Sequence, residues 1–260
     1  VIGGGAAGME AARTAADRGH LVTLYEKSDR LGGVLNIAAA PAFKEDLKKY
    51  LEWSVRATEE DERIVIKKNT VATAQRLKEE KYDVILVAIG AKPILPQDFI
   101  VENKTFWVGD VETEKVQTGK EVVIVGGGLT GCECALNLAK KGKKVTVVDM
   151  ISEEEFGKGG AKFNQIALLD MLKKRDVCFK GKRKLKEVTE EGAIFEMEDG
   201  EKETIKCEQV ILSLGVRPEE MLIRQFECCA PEVINIGDCS VNAGNLYHAV
   251  HSAHEAASTI

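Results

Sequence analysis

A chain of 260 residues, 44% hydrophobic, is long enough to fold as two domains of ordinary size around real cores. A formal net charge of −6 argues against a nucleic-acid binder, whose affinity rests on a basic footprint, and no apolar run approaches the length that spans a bilayer. Seven cysteines without a disulfide framework suit a reducing compartment, so the expectation is a cytoplasmic protein with no membrane or nucleic-acid partner.

The first element is the pair Val1 and Ile2, the end of a strand, leading into Gly3, Gly5 and Gly8, which fit G-x-G-x-x-G. An alanine-rich helix follows, then Gly19, then the alternating apolar strand "LVTLYE" ending at Glu26. Each position has a physical task. The first glycine permits a tight turn out of the strand, the second lets backbone approach a pyrophosphate, and the third lets helix and strand pack closely. The helix N-terminus presents unpaired amides and a positive dipole end to phosphates, and the carboxylate closing the next strand accepts hydrogen bonds from ribose hydroxyls.

The stretch "EKSDRLGGVLNIAAAPAFKEDLKKYLEW" holds a Leu-Gly-Gly turn and a lysine-rich helix. "ERIVIKKNTVATAQRL" suits a meander or a crossover, and "YDVILVAIGAKP" is a hydrophobic strand running into Gly90, Lys92 and Pro93. The pattern then begins again: "EVVIV" leads into Gly126, Gly128 and Gly131, then a helix, Gly142, and "KVTVVD" ending at Asp149. From first glycine to acid the interval is the same 23 residues in both copies. The second copy continues through "AIFEMEDGEKETIKCEQV", with an Asp-Gly hairpin turn, and closes with "VILSLGVRP", running into Gly215, Arg217 and Pro218. A whole domain is therefore repeated, and two dinucleotides are expected to bind. The tail carries a short apolar strand, then Gly237 and Asp238, then a helix spaced through Leu246, Ala249, Val250, Ala253, Ala256 and Ala257.

The remaining reactive residues read as structural. Cys132 and Cys134, two apart on a helix, do not share a face and are expected in the core. Cys228 and Cys229 are adjacent and poor partners for each other, and no C-x-x-C occurs, so neither a dithiol nor a metal site is expected. The basic run from Lys180 to Glu187 reads as a solvated strand and turn. His248, His251 and His254 read as surface or interdomain residues, and His20 as a helix-end residue. Asp149 suits a free ribose 2′-hydroxyl and would repel a 2′-phosphate, and Glu153, Glu154 and Glu155 add no cation to receive one.

The two glycine units, the "AIGAKP" and "LGVRP" strand ends and the terminal "INIGDC" together resemble the two-dinucleotide flavoprotein disulfide-reductase superfamily. The resemblance implies an α/β chain of two Rossmann-like three-layer (ββα) domains. An FAD domain, residues 1–95 and 219–260, would carry an inserted NAD(P)H domain, residues 96–218. Gly3, Gly5, Gly8 and Glu26 would hold the FAD pyrophosphate and adenosine ribose, and Asp238 would meet the ribitol. Gly126, Gly128, Gly131 and Asp149 would hold NADH. The expected set of cofactor contacts also takes in Ala7, Lys27, Gly33, Val71, Ala88 and Gly90 from the first half. It adds Leu129, Thr130 and Gly215 from the second, and Ala249 from the terminal helix. No side chain is expected to act as a general acid or base, because the flavin ring performs the hydride chemistry.

A narrower resemblance comes from "RLGGVLNIAAAPAFKEDL" and "NLYHAVHSAHEAA", which are similar to the C-terminal portion of the 2,4-dienoyl-CoA reductase and enoate reductase family. That family places an FMN barrel and an iron–sulfur cluster upstream. Only Val1 and Ile2 stand before the first glycines, so the chain is expected to be a piece of such an enzyme. It would take hydride from NADH onto FAD and pass electrons to the upstream domain, which reduces an unsaturated substrate, in an enzyme that can form a homo-oligomer. Two alternatives use the same fold: a non-redox, ADP-binding structural module, suggested by Ile89 where the superfamily usually has threonine, and a stand-alone NADH oxidase or disulfide reductase.

Overall fold

A computed structural model describes residues 1–240 and 244–260. The chain divides into two compact units, one of residues 1–40, 44–92 and 216–260, the other of residues 41–43 and 93–215. In chain order the first unit contains α1 (Ala6–Asp17), β1 (Val22–Tyr25), α2 (Leu35–Ala38), α3 (Glu45–Glu59), β2 (Ile64–Lys67), α4 (Ala74–Glu80) and β3 (Val84–Val87), and β4 (Ala91–Pro93) runs to its boundary with the second. The second contains β5 (Thr105–Trp107), α5 (Val108–Glu112), β6 (Glu121–Val125), α6 (Leu129–Lys140), β7 (Lys144–Val148), α7 (Lys162–Lys173), β8 (Cys178–Lys180), β9 (Arg183–Thr189), β10 (Gly192–Met197), β11 (Lys202–Lys206) and β12 (Gln209–Leu212). The chain returns through β13 (Val216–Pro218), α8 (Glu220–Arg224), β14 (Glu232–Asn235) and α9 (Leu246–Thr259).

In the first unit, Ile2 stitches two parallel pairs, β1–β2 and β3–β14, by bridging Tyr25 on one side and Val87 on the other. Its amide donates to Leu86 O at 2.9 Å and its carbonyl accepts from Ala88 at 2.8 Å, so it occupies the centre of the sheet. The stretch between Glu62 and Leu77 is a crossover: one strand, then a helix. Helix α1 is nearly all small residues on its buried side. Ala11, Ala12 and Ala16 are fully buried, as are Ala253 and Ala257 of α9, so the two helices pack closely. Arg13 pins α3 to the same helix, donating to Ser54 Oγ at 3.0 Å and Thr58 Oγ1 at 2.8 Å.

The second unit is a five-stranded parallel sheet in the order β5-β12-β6-β7-β8, beside an antiparallel sheet β11-β10-β9. Val122, Val123, Ile124 and Val125 of β6 are all buried, as a central strand covered on both faces requires. The Asp199-Gly200 turn joins β10 to β11, with Gly200 N–H donating to Met197 O at 3.0 Å. Among the described residues no helix is long and apolar enough to cross a membrane.

Candidate functional site: two glycine turns, each tied to an acid

Strand-end Ile2 delivers the chain into Gly3, whose φ of +99° turns it sharply into α1. A methyl group on Gly3 would overlap the carbonyl oxygen of Ala88, and one on Gly8 would overlap that of Gly3. Both positions are closed by the protein's own backbone. Gly5, the N-cap, is different: a Cβ there would meet nothing within 4 Å. Gly5 has an ordinary extended backbone and α1 has no side-chain cap. The first intrahelical bond runs from Met9 N–H to Gly5 O at 2.9 Å, so the amides of Ala6, Ala7 and Gly8 lie ahead of it at the positive end of the helix dipole.

Glu26 closes the turn from the neighbouring strand. Its Oε2 accepts from Gly4 N–H at 2.7 Å, and its Oε1 accepts from the amide and hydroxyl of Ser28 at 2.8 and 2.7 Å. The side chain is buried, its partners being the turn amide of Gly4 and the amide and hydroxyl of Ser28 just past β1. Lys27 and Val71 are exposed beside it, Val71 held there because Thr70 N–H donates to Glu26 O at 2.9 Å. Over the same turn lies the Leu31–Gly33 strap: Gly32 N–H donates to Gly4 O at 2.8 Å, and a Cβ on Gly33 would come within 3.1 Å of Gly5 Cα.

Just beyond β14, Gly237 packs against Ala7 and Ala249. Asp238 Oδ1 accepts from Gly244 N–H at 2.9 Å. The Cys239 thiol, buried and pushed up to about 11 by desolvation, accepts from Gly90 N–H at 3.1 Å and donates to Gly90 O at 3.4 Å. That latch joins the strand end carrying Ala88 and Gly90 to the segment carrying Asp238. Helix α9 is capped by Asn245, whose side chain accepts from His248 N–H.

The second unit repeats this construction. A methyl on Gly126 (φ +115°) would overlap Ser213 O, one on Gly131 would overlap Gly126 O, and one on Gly128 would meet nothing within 4 Å. Asp149 Oδ2 accepts from Gly127 N–H at 2.6 Å, the counterpart of Glu26 and Gly4, while its Oδ1 accepts from Met150 N–H at 2.6 Å. Helix α6 again lacks a side-chain cap, leaving Thr130 and Gly131 ahead of the first intrahelical bond, Cys132 N–H to Gly128 O. Leu129 N–H is already engaged by Lys158 O at 3.0 Å, which spacing alone did not anticipate. Gly215, two residues beyond Ser213, accepts at its carbonyl from Ile94 N–H.

These residues fit dinucleotides. In each unit the only glycine of the triplet with open space beside it is the one at the helix N-terminus, where a pyrophosphate would lie against bare backbone. The thiols tell a different story. Cys132 and Cys134 are fully buried, and desolvation pushes Cys132 up to about 12 and Cys134 well above its ordinary value. All seven cysteines are free. Lys180 and Arg183, expected as solvated, are half-buried and both pair with Glu203.

Two α/β units, each with a glycine turn locked to an acid, define a two-dinucleotide oxidoreductase. The chain belongs to the pyridine nucleotide-disulphide oxidoreductase family, which it matches over residues 1–231. Cinnamate reductase of Clostridium sporogenes is 34% identical over all of this chain and 39% of its own length. NADH oxidase of Thermoanaerobacter brockii is 34% identical over 99% of this chain and 40% of its own. The solved structure of a 2-naphthoyl-CoA reductase superposes with a TM-score of 0.87 at 30% identity, covering all of this chain and 39% of that one. The chain thus spans about two fifths of the length of these relatives. It is an NAD(P)H-dependent flavin oxidoreductase unit, akin to the corresponding parts of enoate reductase-like enzymes.

Proposed function

We propose that the first unit holds FAD, that the second holds NADH, and that the chain is the electron-input module of a larger reductase. The observation that carries this reading is the duplicated bond from turn amide to strand-end carboxylate, Gly4 to Glu26 and Gly127 to Asp149. In each unit it ties the carboxylate to the same glycine turn that opens the helix, and a dinucleotide site places its ribose acceptor and its pyrophosphate amides on such a turn.

When bound, the two cofactors supply the hydride chemistry, and the protein supplies position and charge. Ala7 and Gly8 would direct their amides at one pyrophosphate, and Thr130 and Gly131 at the other. Glu26 would accept from the adenosine ribose of FAD. Asp149 would accept from the 2′-hydroxyl of NADH and oppose a 2′-phosphate. Lys27, Gly33, Val71, Ala88 and Gly90 would line the flavin nucleotide, and Asp238, Gly237 and Ala249 would flank its ribitol end. Leu129 and Gly215 would border the nicotinamide nucleotide.

With Cys132 and Cys134 buried and protonated, this chain offers no exchanging dithiol near the second turn. Its electrons are therefore assigned to an iron–sulfur and FMN domain of the same polypeptide, acting on an unsaturated carboxylate or acyl thioester. The names of the cinnamate and 2-naphthoyl-CoA reductases support that substrate class. A cytosolic setting and a homo-oligomeric full-length enzyme complete the reading, the seven free thiols supporting the first.

The test is a visible spectrum of the purified chain after FAD loading and desalting, followed by anaerobic NADH and then NADPH. A flavin band bleached preferentially by NADH is expected. A protein that binds ADP but retains no flavin would instead make it a structural module.

A further inference from the structure

The straps over the two glycine turns are themselves repeats. In the first unit Leu31 covers Gly4, Gly32 N–H donates to Gly4 O, and Gly33 lies against Gly5. In the second Phe156 covers Gly127, Gly157 N–H donates to Gly127 O at 2.7 Å, and the next residue, Lys158, lies at the start of α6 with its carbonyl on Leu129 N–H. Lys158 therefore holds the place that Gly33 holds in the first unit. Phe156 is fully buried, meets Phe179 edge-on at 5.7 Å, and has its carbonyl held by Gln165 Nε2 at 2.7 Å, so the strap is anchored rather than draped.

Resting on the reading above, we propose that Lys158 is the cation that neutralises the pyrophosphate of the nicotinamide dinucleotide in the second unit. Its Cα stands about 5 Å from Leu129 N by standard bond lengths, within the length of a lysine stem of the open space beside Gly128. It is the only cation between Asp149 and Ala161, a stretch that also carries three glutamates. Its present partner is Glu155 Oε1 at 2.7 Å, an exposed i,i+3 pair with side chains 60% and 43% accessible. Such a pair is weak and readily exchanged for a phosphate. The glycine at the equivalent place in the first unit leaves backbone alone to do this work. The two sites thus differ in charge although they share a frame.

Calorimetric titration with ADP-ribose, which carries the pyrophosphate and no nicotinamide, tests the assignment. Lys158→Ala and Lys158→Met are expected to raise Kd roughly tenfold and to flatten its dependence on salt, and Lys158→Glu to raise Kd further. Lys158→Arg should stay near the parent chain, and FAD content should be unchanged in all four. Lys158→Met keeps the stem, so recovery of affinity in that variant alone would overturn the charge assignment. Affinities within twofold of the parent for Ala and Glu would also overturn it while leaving the two-cofactor reading standing. A parent chain that binds neither ADP-ribose nor NADH would remove both.

Discussion

The amide of Gly4 donates to Glu26 Oε2 at 2.7 Å, joining the floor of the first glycine turn to the end of the neighbouring strand. Gly127 and Asp149 make the same bond at 2.6 Å in the second unit. Each bond sets the acid's direction before any ligand arrives. It also leaves each carboxylate with acceptor capacity that a ribose can use, since a carboxylate has about four lone-pair sites. Under the proposed function the same side chain serves both as a structural strut and as a specificity element.

Because the struts lie in separate units, their loss should separate as well. Glu26→Gln should weaken FAD by roughly 10- to 100-fold, the range for a hydrogen bond to a charged group, with little effect on NADH. Asp149→Ala should do the reverse, weakening NADH far more than FAD and narrowing the preference over NADPH. Fluorescence titrations of both variants with both cofactors check this. Equal loss of both cofactors in either variant would sink the assignment of one nucleotide to each unit.

Within one triplet, Gly5 and Gly8 should behave oppositely. Gly8→Ala drives a methyl into Gly3 O and should cost about 2 kcal/mol or more, lowering Tm by several degrees. Gly5→Ala meets open space on an ordinary extended backbone, so Tm of the flavin-free chain should hold while FAD retention falls at least tenfold. The parallel pair in the second unit is Gly131→Ala and Gly128→Ala, read by NADH affinity. Thermal melts beside cofactor titrations suffice. An alanine at residue 5 that leaves FAD binding intact would mean the open space is not where the pyrophosphate lies.

Much of this frame was legible because its causes are local. A glycine with positive φ, a two-residue alternation and a fixed distance from turn to acid follow from the backbone itself, so Gly3, Gly126, Glu26 and Asp149 could be placed from spacing alone. The Cys239–Gly90 latch could not, because its partners are 149 positions apart and meet only when the tail strand pairs with β3. Lys180 and Arg183 looked solvated in sequence because their partner Glu203 stands on β11. The Phe156–Lys158 strap left one faint signal: Phe-Gly-Lys follows the second acid much as Leu-Gly-Gly follows the first.

The thiols give a prediction about where electrons do not go. Cys178 and Cys228 are exposed, the other five buried, with Cys132, Cys134, Cys207 and Cys239 all raised, chiefly by desolvation. An aromatic disulfide reagent should modify two thiols quickly in the native chain and the rest only on unfolding. NADH added to the FAD-loaded chain should expose no further fast thiol. A new pair appearing on reduction would place a redox dithiol inside this chain and displace the external acceptor.

The acid stability of the first unit should depend on Glu80. Its carboxylate accepts from the hydroxyls of Tyr25 and Tyr82 and from Lys67 Nζ, tying β1, β2 and α4 together. The hydrogen bonds from Tyr25, then Tyr82, then Lys67 hold it near 2, against an ordinary value of 4.5. A depressed carboxyl stabilises the fold fully above its unfolded value, and that contribution is lost as pH falls from about 4.5 through about 2. One third of the side chain is exposed, so solvent screening keeps the effect modest. Glu80→Gln should lower Tm near neutral pH slightly and lose less on acidification, so the two curves of Tm against pH converge below about 4.5. Parallel curves across that window would show that the Tyr25–Glu80–Tyr82 network does not carry the charge of Glu80 in the folded state.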